Sequence, residues 1–178
     1  MYSVKVLTAE ELRDLYQKTY CHSKVNLEKK IEYFHCDDFH PSFFSDKKHE
    51  DTLRFTVVYN EKDILGICKF AWWECPGNYS ISYLSTNKDY LKQGISKILI
   101  EETFRYFSNT YPNETLNFSG YSIEGWKYLR NSILEASVKH RVPISEKAIE
   151  YITEWTDEKR KLFDESREII KNTYGYAY

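Results

Sequence analysis

The feature of this sequence that most constrains its fold is a change of hydrophobic period near Gly94. Before it, residues 53–59, 64–73 and 79–85 are rich in β-branched and aromatic side chains, and short turns separate them, which predicts a three-stranded meander. After it, apolar residues recur at helical spacing. They predict a helix that begins at Gly94 and has one apolar face, formed by Ile95, Ile98, Leu99, Tyr106 and Phe107. The chain is therefore predicted to be an α/β domain.

Further elements flank this central pattern. Residues 4–7 predict a short first strand, and Thr8 with Glu11 forms a capping box that predicts the start of a helix. Other periodic segments predict a helix over 27–34, a strand over 115–119 and a helix over 126–138.

The last part of the chain predicts one additional, C-terminal amphipathic helix. Residues 145–171 keep helical spacing with mixed charges on the other face, and a Tyr-rich tail follows at 174–178. We expect residues 1–144 to form the main domain and residues 145–178 to pack on that same domain. Packing on a partner chain, as in a homodimer, is the alternative.

Charge and composition exclude several classes of protein. The net charge of -2 and the pI near 6.2 lack the basic character that nucleic-acid binding needs. No apolar run reaches the length of a signal peptide or a membrane span, so no membrane association is predicted and the expected location is cytoplasmic. The four cysteines have no disulfide-framework spacing, and we expect them to be free thiols.

The start of the helix after Gly94 suits an anion. The first four N–H groups of a helix have no partners within it, and the helix dipole adds partial positive charge there. Gly94 lets an anion approach the backbone closely, and Lys92 and Lys97 flank the turn. Because many strand-to-helix turns contain one glycine, the alternative is an ordinary turn without a ligand.

The residues around this turn follow the pattern of a known superfamily. Leu91, Gly94 and Ser96 stand where that pattern has Arg or Gln, then Gly, then Gly or Ala. The likeness extends through residues 64–67 and 116–125 and in all spans about residues 4–141. The chain thus resembles the GNAT superfamily of N-acetyltransferases. This implies a mixed central β-sheet flanked by helices, with acetyl-CoA bound where two adjacent parallel strands splay apart.

The resemblance also implies which residues bind the coenzyme. Backbone groups of Leu84, Ser85 and Thr86 would pair with the pantetheine arm. The pyrophosphate would be held by the N–H groups of Lys92, Gln93, Gly94, Ile95, Ser96 and Lys97. Leu91 and Ser96 depart from the pattern, and since Leu91 removes a side-chain donor, we expect weaker coenzyme binding rather than none.

The implied activity is transfer of an acyl group, most simply acetyl, from acyl-CoA to the amine of a small molecule or peptide. Tyr128 falls near the place where the superfamily often has a proton-donating tyrosine, and a packing role is its alternative. The base is unassigned; Glu74 and Glu124 are the nearest acids in sequence. The competing class is a GNAT-fold protein that binds a partner without catalysis, which Leu91 and the lack of a strand carboxylate favour.

Two other groups of residues contain side chains that bind metals or apolar ligands in other proteins. Cys21, His22, His35, Cys36 and His40 lack the spacing of zinc ligands, so no metal site is predicted. The aromatic stretch over 34–44 is either an apolar wall of the acceptor site or ordinary packing beneath a loop.

Overall fold

The computed structural model describes residues 1–20, 51–74, 77–118 and 123–174. The predicted helix over 27–34, the Cys and His group and the aromatic stretch over 34–44 lie outside the described residues.

Five strands form one sheet in the order in which they occur along the chain. They are β1 (Ser3–Leu7), β2 (Arg54–Tyr59), β3 (Ile64–Trp73), β4 (Asn78–Thr86) and β5 (Leu116–Phe118). The first four are antiparallel neighbours, whereas β5 runs parallel to β4. The predicted meander and the mixed character of the sheet are therefore confirmed.

Helices follow or precede these strands at the predicted places. They are α1 (Ala9–Tyr20), α2 (Ile95–Thr110), α3 (Ile123–His140), α4 (Glu146–Thr153) and α5 (Asp157–Tyr174), with a 3₁₀ turn at Lys88–Tyr90. The capping box of α1 is present, because the Thr8 N–H donates to Glu11 Oε2 (2.8 Å) and the Glu11 N–H to Thr8 Oγ1 (3.2 Å). Among the described residues, none of the helices combines the length and the apolar character needed to cross a membrane.

Both faces of the sheet are covered by helices. The face under α1 is filled by buried side chains that include Leu12, Phe55 and Ile67. The opposite face holds a larger cluster in which α2 packs on the sheet and α3 packs on α2, with Leu99 and Phe104 fully buried. The fold implied by the GNAT resemblance, a mixed sheet flanked by helices, is thus the fold observed.

The prediction of one helix over 145–171 was wrong, because two helices occupy this region. Glu154 adopts an extended conformation that ends α4. Thr156 Oγ1 then accepts a hydrogen bond from the Lys159 N–H (3.2 Å), as at the N-cap of a new helix. The apolar spacing continues across this break and by itself predicts one helix. Thr156 is the local signal for the start of a second helix.

The start of α4 is tied to the sheet. The Leu116 N–H donates to the Pro143 carbonyl (3.0 Å), and the Ser145 N–H donates to the Leu116 carbonyl (3.3 Å). Ser145 Oγ caps α4 at the Ala148 N–H (3.2 Å) and donates to Asn117 Oδ1 (2.6 Å). The chain beyond residue 144 therefore makes its first contacts with β5.

Candidate functional site

The two parallel strands β4 and β5 pair along the described residues of β5. They pair from Tyr79 with Leu116 to Ile81 with Phe118. On the opposite edge, β4 remains paired with β3 as far as Thr86. No strand in the described parts of the chain pairs with Leu84, Ser85 or Thr86 on the β5 side. Among the described residues, this stretch of β4 therefore has no strand partner on that side, and such an edge can accept an extended ligand as an added strand.

Strand β4 contains a bulge next to the described part of its ladder with β5. Lys69 pairs with Tyr83 and Phe70 pairs with Ile81, so Ser82 is an extra residue in the bulged strand. A bulge bends a strand and increases its local twist. It therefore changes the direction of β4 just after Ile81. The regular alternation of residues 79–85 gave no sign of it.

The segment after β4 is fixed to the start of β3. Asn87, 2% exposed, donates from its N–H to the Leu65 carbonyl (2.8 Å) and from Nδ2 to the Ile64 carbonyl (3.2 Å). The Tyr90 hydroxyl donates to Asp63 Oδ2 (2.9 Å). Burial and this hydrogen bond to a carboxylate raise the pKa of Tyr90, which keeps the phenol a donor. The turn into α2 is therefore held rigidly against the sheet.

The first turn of α2 lies directly on the sheet because Gly66 has no side chain. A β-carbon at Gly66 would lie 2.8 Å from Ile95 Cγ2, 2.9 Å from Leu99 Cδ1 and 3.0 Å from the Ser85 carbonyl oxygen. These distances are shorter than van der Waals contacts. Gly66 thus brings the start of α2 next to the open edge of β4.

The start of α2 has the features of an anion site. Gly94 is the N-cap, with φ 76°, and no side chain caps the helix. Within the described residues, the N–H groups from Lys92 to Lys97 donate no hydrogen bond; the first bond of the helix is from the Ile98 N–H to the Gly94 carbonyl (3.1 Å). Apart from its chain neighbours and the backbone of its own helix, no atom of the described residues lies within 4 Å of a β-carbon built on Gly94. The predicted cradle is therefore uncapped and open.

The charged and apolar residues around the cradle differ in their availability. Lys92 is exposed and has a positive φ of 62°. Lys97 forms an ion pair with Glu135 (3.2 Å), so its charge is already partly neutralised. Leu91 is 55% exposed and adds nothing to the core. Leu91 therefore places an exposed apolar side chain where the GNAT pattern has a hydrogen-bond donor.

Tyr128 lies on α3 with 67% of its surface exposed. Lys127 Nζ is 5.2 Å from the centroid of its ring. A residue this exposed contributes little to the core, and a role as proton donor stays a prediction. Of the two acids considered as bases, Glu74 is exposed at the end of β3, and Glu124 lies in the first turn of α3.

Ser82 and Trp126 each have a buried polar atom that no sequence signal marks. Ser82 Oγ and Trp126 Nε1 are buried and have no hydrogen-bond partner among the described residues. The Arg130 guanidinium lies 4.2 Å from the centroid of the Trp126 ring. The apolar spacing over 126–138 predicts only that Trp126 lies on the apolar face of its helix. No local pattern distinguishes Ser82 from Ser80.

Metal and thiol chemistry find no support in the described part of the chain. Residues 1–20, 51–74, 77–118 and 123–174 contain no group of three or more His, Cys, Asp or Glu side chains placed to hold a metal. Burial raises the pKa of the Cys68 thiol to about 12, although Thr103 hydrogen-bonds to it and opposes the shift. Cys68 is therefore a neutral core residue at physiological pH.

No protein-family model matches the sequence, and no curated protein matches it. Solved structures do match. An aminoglycoside acetyltransferase, meta-AAC0020 from an uncultured soil metagenomic sample, in complex with sisomicin, is 17% identical; the match covers 74% of this chain and 86% of that one, with a TM-score of 0.49. A ribosomal-protein-alanine N-acetyltransferase from Brucella melitensis biovar Abortus 2308 is 14% identical. The match covers 74% of this chain and 90% of that one, with a TM-score of 0.47.

A third similar structure is the aminoglycoside N-acetyltransferase AAC(6')-Iy in complex with CoA. It is 13% identical, and the match covers 82% of this chain and 90% of that one, with a TM-score of 0.44. Because these identities and TM-scores are low, we assign the fold from the strand order, the parallel pairing of β4 with β5 and the start of α2 in this chain.

Proposed function

We propose that the protein is an acyl-CoA-dependent N-acyltransferase that uses acetyl-CoA. The observation that carries this proposal comes from the described residues: a stretch of β4 without a strand partner on its β5 side lies next to an uncapped, glycine-bearing helix start. One end of this surface suits the amides of an extended chain, and the other suits a diphosphate. CoA contains both groups, joined in that order.

The residues would act on the coenzyme through their backbones. Backbone groups of the stretch Leu84, Ser85 and Thr86 would pair with the pantetheine amides, as in an added strand. The N–H groups from Lys92 to Lys97 would hold the pyrophosphate, with the exposed Lys92 side chain adding charge. Most of these contacts do not depend on side chains, which is why Leu91 weakens binding without preventing it.

The proposed reaction is direct attack of an amine on the thioester. The acceptor is an amine of a small molecule or a peptide, and it must lose a proton as the new amide forms. Tyr128 is the proposed donor of a proton to the leaving thiolate. Its exposed position on α3 leaves the hydroxyl free to reach a ligand.

The binding step can be tested by calorimetry with CoA and acetyl-CoA on matched variants. Gly94 and Gly77 have nearly the same positive φ, 76° and 79°, so alanine costs each about 1–2 kcal/mol of backbone strain. In Gly94→Ala, the new methyl group occupies the space in front of the cradle, and CoA affinity should fall about ten-fold or more. Gly77→Ala, in the turn between β3 and β4, should bind CoA as the wild type does.

The catalytic step can be tested by release of free thiol from acetyl-CoA with a panel of amines. A diamine, an aminoglycoside and a peptide N-terminus represent the acceptor classes. Turnover with any of them supports the enzyme. CoA binding without turnover would assign the chain to the alternative class, a non-catalytic GNAT-fold binding protein, which the exposed Leu91 favours. Equal CoA affinity of the wild type and Gly94→Ala would contradict the proposed cradle.

A further inference from the structure

We propose that the cavity beside the C-terminal turn of α1 is a second ligand site, which binds a free amino acid with an apolar side chain. The cavity has a volume of about 420 Å³, and residues from the start of β1, from α1 and from the turn between β2 and β3 line it. A volume of this size is typical of small-molecule sites. The site lies at the β1 edge of the sheet, opposite the β5 edge, so the proposal does not rest on the proposed function.

Part of the cavity lining is apolar and continuous with the core. Leu15 and Tyr59 line the cavity, are half-buried and pack against the buried cluster under α1. Tyr2, which is 51% exposed, adds a third large side chain to the lining. A ligand with an apolar group would remove area from water on both itself and these side chains, which favours such a ligand over a purely polar one.

Two groups of opposite charge line the same cavity from different elements. Lys18 belongs to the last turn of α1, and Glu61 belongs to the turn after β2. Both residues are exposed, and neither takes part in an ion pair within the described part of the chain. A ligand that carries one carboxylate and one ammonium group would be attracted to Lys18 by the first and to Glu61 by the second.

A hydroxyl group adds to the polar part of the lining. Thr19 Oγ1 donates its proton to the Leu15 carbonyl (2.8 Å), which leaves its lone pairs to accept from a ligand. An ammonium group has three N–H donors and needs more than one acceptor. An α-amino acid carries an ammonium group, a carboxylate and a side chain on one carbon atom, so it combines in a small volume the three parts that this lining recognises.

Asn60 connects the cavity to the segment after β4. Its Oδ1 accepts hydrogen bonds from the N–H groups of Lys62 and Asp63 (2.8 Å each), which fixes the turn between β2 and β3. Asp63 Oδ2 accepts from the Tyr90 hydroxyl (2.9 Å), and the Asn60 side chain is a further hydrogen-bond partner of that hydroxyl. The cavity is thus joined through one short turn to the segment that precedes the anion cradle. None of its lining residues belongs to the proposed coenzyme surface.

Calorimetry with four probes tests the proposal: L-leucine, glycine, leucinamide and N-acetyl-leucine. Leucine should bind about ten-fold or more tightly than glycine, because glycine has no side chain to bury. Lys18→Gln should weaken leucine binding about five-fold and leave binding of leucinamide, which has no carboxylate, unchanged. Glu61→Gln should weaken leucine binding to a similar extent and leave binding of N-acetyl-leucine, which has no ammonium group, unchanged.

Matched controls remove the same charges elsewhere. Lys161→Gln on α5 and Glu150→Gln on α4 are also at exposed positions and should bind leucine as the wild type does. Because all four substituted residues are exposed, thermal unfolding should give an unchanged Tm for each variant. A wild-type affinity for leucine in both Lys18→Gln and Glu61→Gln would overturn the inference.

Two further results would also overturn it: equal affinities for glycine and leucine, or no binding of leucine at millimolar concentration. Gly94→Ala separates this site from the coenzyme surface, since it should bind leucine as the wild type does. Loss of leucine binding in Gly94→Ala would place the ligand at the cradle and contradict a second site. Leucine binding by a protein that does not bind CoA would overturn the proposed function and leave this inference standing.

Discussion

A β-carbon built on Gly66 lies 2.8 Å from Cγ2 of Ile95, closer than two carbon atoms can pack. The backbone of β3 at Gly66 therefore packs directly against the branched side chain of Ile95, in the first turn of α2. This contact sets the distance between the sheet and the proposed phosphate cradle.

Gly66→Ala should consequently affect both stability and ligand binding. The added methyl group forces α2 away from the sheet, which should lower the free energy of unfolding by about 1–3 kcal/mol, as overpacking does. CoA affinity should fall as well, because the start of α2 moves relative to Ser85. Chemical denaturation and calorimetry measure the two effects. Loss of stability with unchanged CoA affinity would show that the cradle does not depend on this contact.

Leu91→Gln should strengthen CoA binding by about five-fold, because it restores a hydrogen-bond donor next to a charged ligand. Leu91 is 55% exposed, so the substitution should leave the core intact. Leu162→Gln on α5 is the matched control, since Leu162 is 56% exposed and lies on a different element. Calorimetry with CoA compares the two variants. An equal effect of both would indicate a general surface effect instead of a contact at the turn.

Tyr128→Phe should lower kcat about 10- to 100-fold if its hydroxyl protonates the leaving thiolate, with little change in KM for acetyl-CoA. The exposed ring predicts an unchanged Tm. Tyr2→Phe, at another exposed tyrosine, serves as the control. Steady-state thiol release gives both constants. Wild-type kcat in Tyr128→Phe would remove Tyr128 from the mechanism.

The contact between α2 and α3 should depend on pH. Partial burial alone would raise the pKa of Glu101, but hydrogen bonds from Lys139 and from His140 Nε2 (2.8 Å) outweigh it and lower that pKa. A lowered carboxyl pKa stabilises the fold above the unfolded-state value, near 4.3, and this stabilisation is lost as pH falls through the lower folded-state value.

Glu101→Gln should therefore lower stability at neutral pH by up to about 1 kcal/mol, the range of exposed ion pairs, and the difference from the wild type should vanish in acid. Urea denaturation at several pH values measures it. Glu102→Gln removes a pair within α2, with Arg105, and should cost less because it does not join two helices. A difference that persists below pH 3 would rule out the ionised carboxylate as its cause.

Local signals predicted most of the fold. The change of period at Gly94, the capping box at Thr8 and the turns between the strands depend on neighbours in sequence, and all three were confirmed. The bulge at Ser82 depends on the register between β3 and β4, which the alternation of one strand does not encode. The break at residues 154–156 did have a local signal, the cap at Thr156, but continuous apolar spacing obscured it.

The candidate site was predictable in part for the same reason. An anion cradle at a helix start follows from backbone geometry, so Gly94 and its neighbours could be identified from the sequence. Its fixed position could not, since Gly66 and Asn87 act across the fold on Ile95 and on the start of β3. No spacing rule in a single sequence reveals such long-range contacts.

In the described part of the chain, β4 has no strand partner at Leu84–Thr86 on its β5 side. A coenzyme that pairs with Leu84–Thr86 would supply the missing strand, so part of the folding free energy of the chain would come from a metabolite. By mass action, a ligand at 100 times its Kd adds about 2.7 kcal/mol to stability. The lifetime of the protein in a cell would then follow coenzyme supply, with the ligand-free chain the form most readily degraded.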